Sequence, residues 1–131
     1  MQKQKTDRDC AVCVFAALSG LPYEEIAADL PEAVTTGISA DMCQSYFERK
    51  GFRVLRYGEE DATYTFPCAH LVGAPIYTHD VCHWVLQPDP NNIFDPSPCN
   101  FFFPNDARML NFSVWGRRIL TLTLQRGFTV P

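Results

Sequence analysis

Gln4, Cys10, His83 and Asp95 are the side-chain types that thiol-based acyl transfer uses, in an order that could assemble one site. Cys10 heads "CAVCVFAALS", an unbroken run of small and apolar residues, so it would stand in the first turn of a helix, where unpaired backbone amides and the helix dipole favour a thiolate. A thiolate nucleophile needs a base. His83 opens the β-prone run "HWVLQ", where a core strand would rarely carry an imidazole without a reason. The base needs an acceptor to orient it, and Asp95 in "NIFDP" falls on the partner strand of a hairpin turned by "DPNN", so the two side chains could meet across it. Gln4, six positions before the thiol, could donate its side-chain amide to the oxyanion of a tetrahedral intermediate beside the Cys10 backbone amide. Each residue alone has a plainer reading: a packed cysteine, a satisfied or surface histidine, a turn-forming Asp-Pro, a glutamine in a polar terminus. Their conjunction carries the argument, with amide and thiol around a helix start, then base and orienter on strands.

The elements that would position these residues are legible in the patterning. Asp9 is a good N-cap residue, and the helix from Cys10 to Ser19 is apolar on every side until Gly20 stops it, which predicts a helix buried throughout. Asp9 also places a charge beside Cys10 that opposes a thiolate, unless capping turns the carboxylate toward backbone amides. "LPYEEIAADLP" reads as a short second helix, with Pro22 at its first turn and Pro31 beyond its end. Ser39 opens a third, "SADMCQSYFERKG", in which Met42, Tyr46, Phe47 and Lys50 follow helical spacing and Gly51 ends the run. From residue 52 the period changes to that of strands: "FRVLRY", "APIYT", "HWVLQ" and "RRILTLTLQ". The stretch "FFFPNDARMLNFSVW" reads only as loop with a turn of helix. The expectation is one α+β domain over residues 1–131, with three N-terminal helices packed on a small antiparallel sheet.

Composition narrows the partners. The chain of 131 residues is 47% hydrophobic and 20% charged, which suits a single core that buries roughly two-thirds of the unfolded surface. A net charge of -4 argues against nucleic acid, and the adjacent pair Arg117 and Arg118 reads as a solvated strand end. No apolar run approaches the roughly 20 residues that span a bilayer, and "MQKQKTDRD" lacks the apolar region of a secretory signal. A cytoplasmic protein with reduced thiols is expected, without a membrane span.

Metal binding is the main rival reading, because "CAVC" is a Cys-x-x-Cys and "HDVCH" carries His79, Cys82 and His83. It is disfavoured, since this Cys-x-x-Cys lies inside a helical run. Cys13 is expected in the core, Cys43, Cys68, Cys82 and Cys99 as buried or incidental thiols, and His70 without an evident partner. A redox role for "CAVC" is weaker still, because no strand precedes it. No cofactor is called for.

"QKTDRDC" with its apolar helix, "LSGLPYEEIAADLP", "GISADMCQSYFERKGFRV", "GAPIYTHDVCHWVL" and "FDPS" resemble the leader peptidases of bacteriocin exporters and their free-standing relatives, a branch of the papain superfamily. The resemblance runs over residues 4–97. It implies a papain-like fold and a cysteine peptidase acting on a peptide or protein, with Gln4 as the oxyanion glutamine, Cys10 the nucleophile, His83 the base and Asp95 its orienter. With three residues ahead of Gln4, no inhibitory segment is expected before it. An acyl transferase using the same thiol, or an inactive papain-like module that binds a peptide, is the alternative.

Overall fold

The apolar run that starts at Cys10 forms helix α1, Cys10–Ser19, in the computed structural model of the chain, which describes residues 2–61, 63–73, 82–97 and 117–126. Ala11 to Phe15 are buried in succession, whereas Cys10 is half-buried and Ala17 exposed, so full burial holds from Ala11 to Phe15 and not throughout the helix. Gly20 stops the helix in the left-handed region, φ +81°, and its amide donates to the Ala16 carbonyl at 2.9 Å. Helix α2, Tyr23–Asp29, follows Pro22 as expected. Pro31 does more than end it. Proline suits the start of a helix because its missing N–H would be unpaired there, and a one-turn helix α3, Glu32–Thr35, begins at Pro31. Helix α4, Ala40–Arg49, is capped by Ser39, whose hydroxyl accepts from the Met42 amide at 3.2 Å. Its inward face is Ala40, Cys43, Tyr46 and Phe47, so Tyr46 and Phe47 pack as their spacing implies, whereas Met42 and Lys50 stay exposed.

Five strands complete the described fold: β1 Phe52–Gly58, β2 Cys68–Gly73, β3 Cys82–Asp89, β4 Asn92–Phe94 and β5 Arg117–Arg126. They form one antiparallel sheet in the order β1-β5-β2-β3-β4. The chain is therefore α+β, with the "DPNN" turn joining β3 to β4 as its residues imply. "APIYT", the stretch from residue 101 to 115, His79 and Cys99 lie outside the described residues. β2 was not legible: "CAHLVG" mixes a thiol, an imidazole and a glycine with few β-branched residues, and its strand character comes from pairing with β3 and β5.

Alternation along the strands gives the sheet two unlike faces. Ala69, Trp84, Leu86, Leu120 and Leu122 join the core cluster of the helices. The Phe15 ring stacks on Phe47 at 5.2 Å between centroids and meets Trp84 edge-on at 4.9 Å, contacts worth about 0.5–1.5 kcal/mol each beyond the area they bury. Phe15 thereby ties α1 to β3, the two elements that carry Cys10 and His83.

The other face holds a buried polar network. His70 is fully buried, with Nε2 2.7 Å from the Gln87 carboxamide oxygen and Nδ1 2.7 Å from the Thr121 hydroxyl. That carboxamide oxygen only accepts, so Nε2 carries the proton and Nδ1 accepts from Thr121, which accepts in turn from Arg118 at 3.0 Å. His70 thus has partners that the sequence did not reveal. Arg118 is likewise no solvated strand end: it is buried, donates to the carbonyls of Glu59 and Asp61, and lies over the Tyr64 ring. The side chain of Arg117 lies outside the description.

Burial, with the Arg118 charge nearby, outweighs the Gln87 hydrogen bond and holds the His70 imidazole down at about 4. A histidine depressed in the fold contributes stability above its ordinary value of 6.5 and loses it as pH falls toward the folded value, on the order of 3 kcal/mol for this site. Thermal melts should show stability falling between pH 6.5 and 4, with a shallower fall in His70→Gln. Equal slopes for the two proteins would exclude His70 as the source.

Candidate active site

The hairpin of β3 and β4 brings base and orienter together. Leu86 pairs with Phe94, and extending that register sets His83 across from Ser97, with Asp95 on the diagonal, within reach of a long side chain. The His83 Nε2 lies 2.6 Å from Asp95 Oδ1. Asp95 is fully buried and His83 is 6% exposed, so water does little to screen the pair. The same Oδ1 accepts the Ser97 amide at 2.9 Å. Asp95 is therefore both the turn former that an Asp-Pro pair suggests and the acceptor for the imidazole, since an aspartate bonding the amide two residues on is an Asx turn.

The N-terminal segment fastens this turn from outside. The Gln4 amide donates to the Pro96 carbonyl at 2.8 Å, and the Lys3 ammonium donates to the carbonyls of Asp95 and Ser97 at 2.8 and 3.1 Å. Lys3 carries no signal in the sequence, because a lone lysine in a polar terminus looks like any other.

Cys10 is half-buried and lines, with His83, a cavity of about 170 Å³ whose wall includes Gly37, Ile38, Leu71 and Trp84. Two larger surface hollows, about 420 Å³ by Asp29 and Met42 and about 540 Å³ at Gly58–Asp61, are lined by neither a thiol nor an imidazole. Burial disfavours a charged His83. The hydrogen bonds to Asp95 and Cys10, with the electrostatic pull of the same two partners, outweigh it and raise the imidazole from 6.5 to about 9. With Nε2 engaged by Asp95, Nδ1 is the nitrogen left for the thiol.

Asp9 departs from expectation. It occupies the N-cap position of α1 but makes no side-chain cap, and its carbonyl takes the Cys13 amide at 3.2 Å. Its carboxylate turns upstream, accepting the amides of Lys5 at 2.9 Å and Thr6 at 3.2 Å and the Tyr23 hydroxyl at 2.6 Å. It does face backbone amides, but those of the preceding loop, so the first helical turn, including the Cys10 amide, has no capping side chain. Gln4 bends the same way: its Nε2 donates to the Thr6 carbonyl at 3.1 Å, leaving the second N–H of the carboxamide for another acceptor. Its Oε1 is buried and has no hydrogen-bond partner. Cys10, His83 and Asp95 are thus brought together, and Gln4 is attached to the same turn through its backbone.

Among the described residues no three His, Cys, Asp or Glu side chains are placed to hold a metal, and no helix is long and apolar enough to cross a membrane. Cys13, the second thiol of "CAVC", is in the core, where burial foremost pushes it up to about 12. Burial does the same to Cys68, and it drives Cys43 higher still. The side chain of Cys82 lies outside the description. Compared with protein-family models, curated proteins and solved structures, the chain matches none.

The contrast among the thiols sets a direct expectation. Limiting iodoacetamide near neutral pH should alkylate Cys10 first, because it lines a cavity beside an imidazole while Cys13, Cys43 and Cys68 are buried and protonated. Peptide mapping that shows uniform labelling, or Cys10 last, would contradict the assignment of a nucleophile.

Proposed function

We propose that the protein is a papain-like cysteine hydrolase that cleaves a peptide or related amide bond through a thioester on Cys10. The observation that supports this reading best is the place of His83, hydrogen-bonded to a buried aspartate through Nε2 and to a cysteine at a helix start. Helices packed on an antiparallel sheet, with the thiol on the first helix and the base on a strand, suit the same reading. So does a sequence that resembles the exporter leader peptidases. A cytosolic setting keeps the thiol reduced.

In this scheme the scissile carbonyl enters the cavity and Cys10 Sγ attacks it. The oxyanion takes hydrogen bonds from the uncapped Cys10 amide and the Gln4 carboxamide. His83 gives its proton to the leaving amine, which departs and leaves the thioester. Water then attacks, giving its proton to His83, and the acid leaves as Cys10 is restored. Asp95 holds the imidazole in one tautomer and orientation throughout. A half-buried thiol beside a pre-aligned base needs little rearrangement to react.

The roles separate under mutation. Cys10→Ala should abolish turnover of a peptide substrate, and Gln4→Ala should keep Cys10 alkylation while lowering the rate by about 10² to 10³, the cost of one oxyanion donor. His83→Ala should remove both turnover and rapid alkylation. Asp95→Asn should be milder or comparable, and adding it to His83→Ala should cost little more, because effects within one catalytic unit are not additive. If the double mutant instead lost the product of the single losses, or Gln4→Ala matched wild type, the roles assigned here would be wrong.

A further inference from the structure

Asp9 poses a physical problem that the hydrolase scheme leaves open. It is fully buried, one residue from the nucleophile, and its charge works against ionisation of a neighbouring thiol, as it does at Cys13. A neutral N-cap such as serine would stabilise the helix start without that opposition. The Asp9 side chain caps no amide of α1, so capping does not account for it.

Its hydrogen bonds show what it does instead. One oxygen accepts the Lys5 amide and the Tyr23 hydroxyl, and the other accepts the Thr6 amide. These two amides belong to the residues that follow Gln4, and the Thr6 carbonyl, on the far side of the same residue, receives the Gln4 Nε2. A continuous path therefore runs from Tyr23 on α2, through the Asp9 carboxylate and Thr6, to the Gln4 carboxamide. The Gln4 Oε1 makes no hydrogen bond, so the bond from Nε2 to the Thr6 carbonyl is what orients this carboxamide. Three hydrogen bonds on one carboxylate form a brace, and a neutral side chain cannot accept all three as well. The two amides and the Tyr23 hydroxyl more than offset burial and keep Asp9 below the usual carboxylate range, so it stays charged and accepting.

We propose that Asp9 is a positioning residue for oxyanion stabilisation: by folding the loop of residues 4–9 back on itself it fixes the Gln4 carboxamide relative to the start of α1, and by facing upstream it leaves the Cys10 amide uncapped. The proposal rests on the hydrolase reading above. It explains why an acid is retained beside a thiol.

The test uses para-nitrophenyl acetate, which needs no knowledge of the natural substrate. Cys10 Sγ attacks the acetyl carbon, para-nitrophenolate leaves, and water releases acetate from the thioester. Acylation and iodoacetamide alkylation of Cys10 are measured for wild type, Asp9→Asn, Tyr23→Phe, Gln4→Ala and the Gln4→Ala/Asp9→Asn double mutant, with circular dichroism to establish folding. Alkylation builds no oxyanion, so Asp9→Asn should alkylate at least as fast as wild type yet acylate more slowly by about 10²-fold, and Tyr23→Phe should show the same split more weakly. The double mutant should acylate no more slowly than Gln4→Ala, because Asp9 acts through Gln4. Alkylation and acylation that fall together in Tyr23→Phe, or losses that multiply in the double mutant, would overturn the brace while leaving the hydrolase reading intact. Rapid acylation of Cys10→Ala would overturn the hydrolase reading itself.

Discussion

The hydrogen bond between His83 and Asp95, two groups with almost no access to water, is the constraint on which the other features of the site depend. Removing one partner of such a pair strands a buried polar or charged group, at about 3–5 kcal/mol for a charge left unpaired. The hairpin register supplies the diagonal that lets the side chains meet, the Asx turn holds the Asp95 carboxylate, and the N-terminal segment clips the turn from outside through Lys3 and the Gln4 backbone. A helix packed on the sheet through Phe15 then brings Cys10 to the remaining ring nitrogen. Residues 3–10 and 83–97 thus meet at one place, although some seventy residues of sequence separate them.

The two buried histidines respond to burial in opposite ways because their partners differ. His70 meets an amide oxygen, a hydroxyl and the field of Arg118, none of which favours a cation enough to offset desolvation. His83 meets a carboxylate and a thiol, and the same desolvation is overcome. A raised histidine contributes stability fully below its ordinary value and loses it as pH rises through the folded value, so the His83 contribution fades between 6.5 and about 9. His70 fades on the acid side. Together they centre their contribution to stability near the ordinary histidine value.

Much of this was legible in residue types and spacing. The first helix and its glycine stop, the serine-capped fourth helix, the Asp-Pro-Asn-Asn hairpin and the meeting of His83 with Asp95 follow from local chemistry that tertiary packing did not override. What was missed depended on partners distant in the chain. β2 is a strand because its neighbours pair with it. His70 and Arg118 are buried because Thr121, Gln87, Tyr64 and the carbonyls of Glu59 and Asp61 receive them. Asp9 was expected at an N-cap, and local preference gave the right position but the wrong partners. Tyr23, thirteen residues downstream of Cys10, has no local mark of its tie to Asp9.

The account stands on a thiol, an imidazole and a carboxylate that behave as one electrostatic unit, and an NMR titration of the His83 ring reads that unit without any substrate. In wild type His83 should stay protonated well above pH 6.5, losing its proton near 9, and both Asp95→Asn and Cys10→Ala should bring that midpoint down. A His83 that titrates near 6.5 in wild type, and does not respond to either substitution, would contradict the existence of the unit.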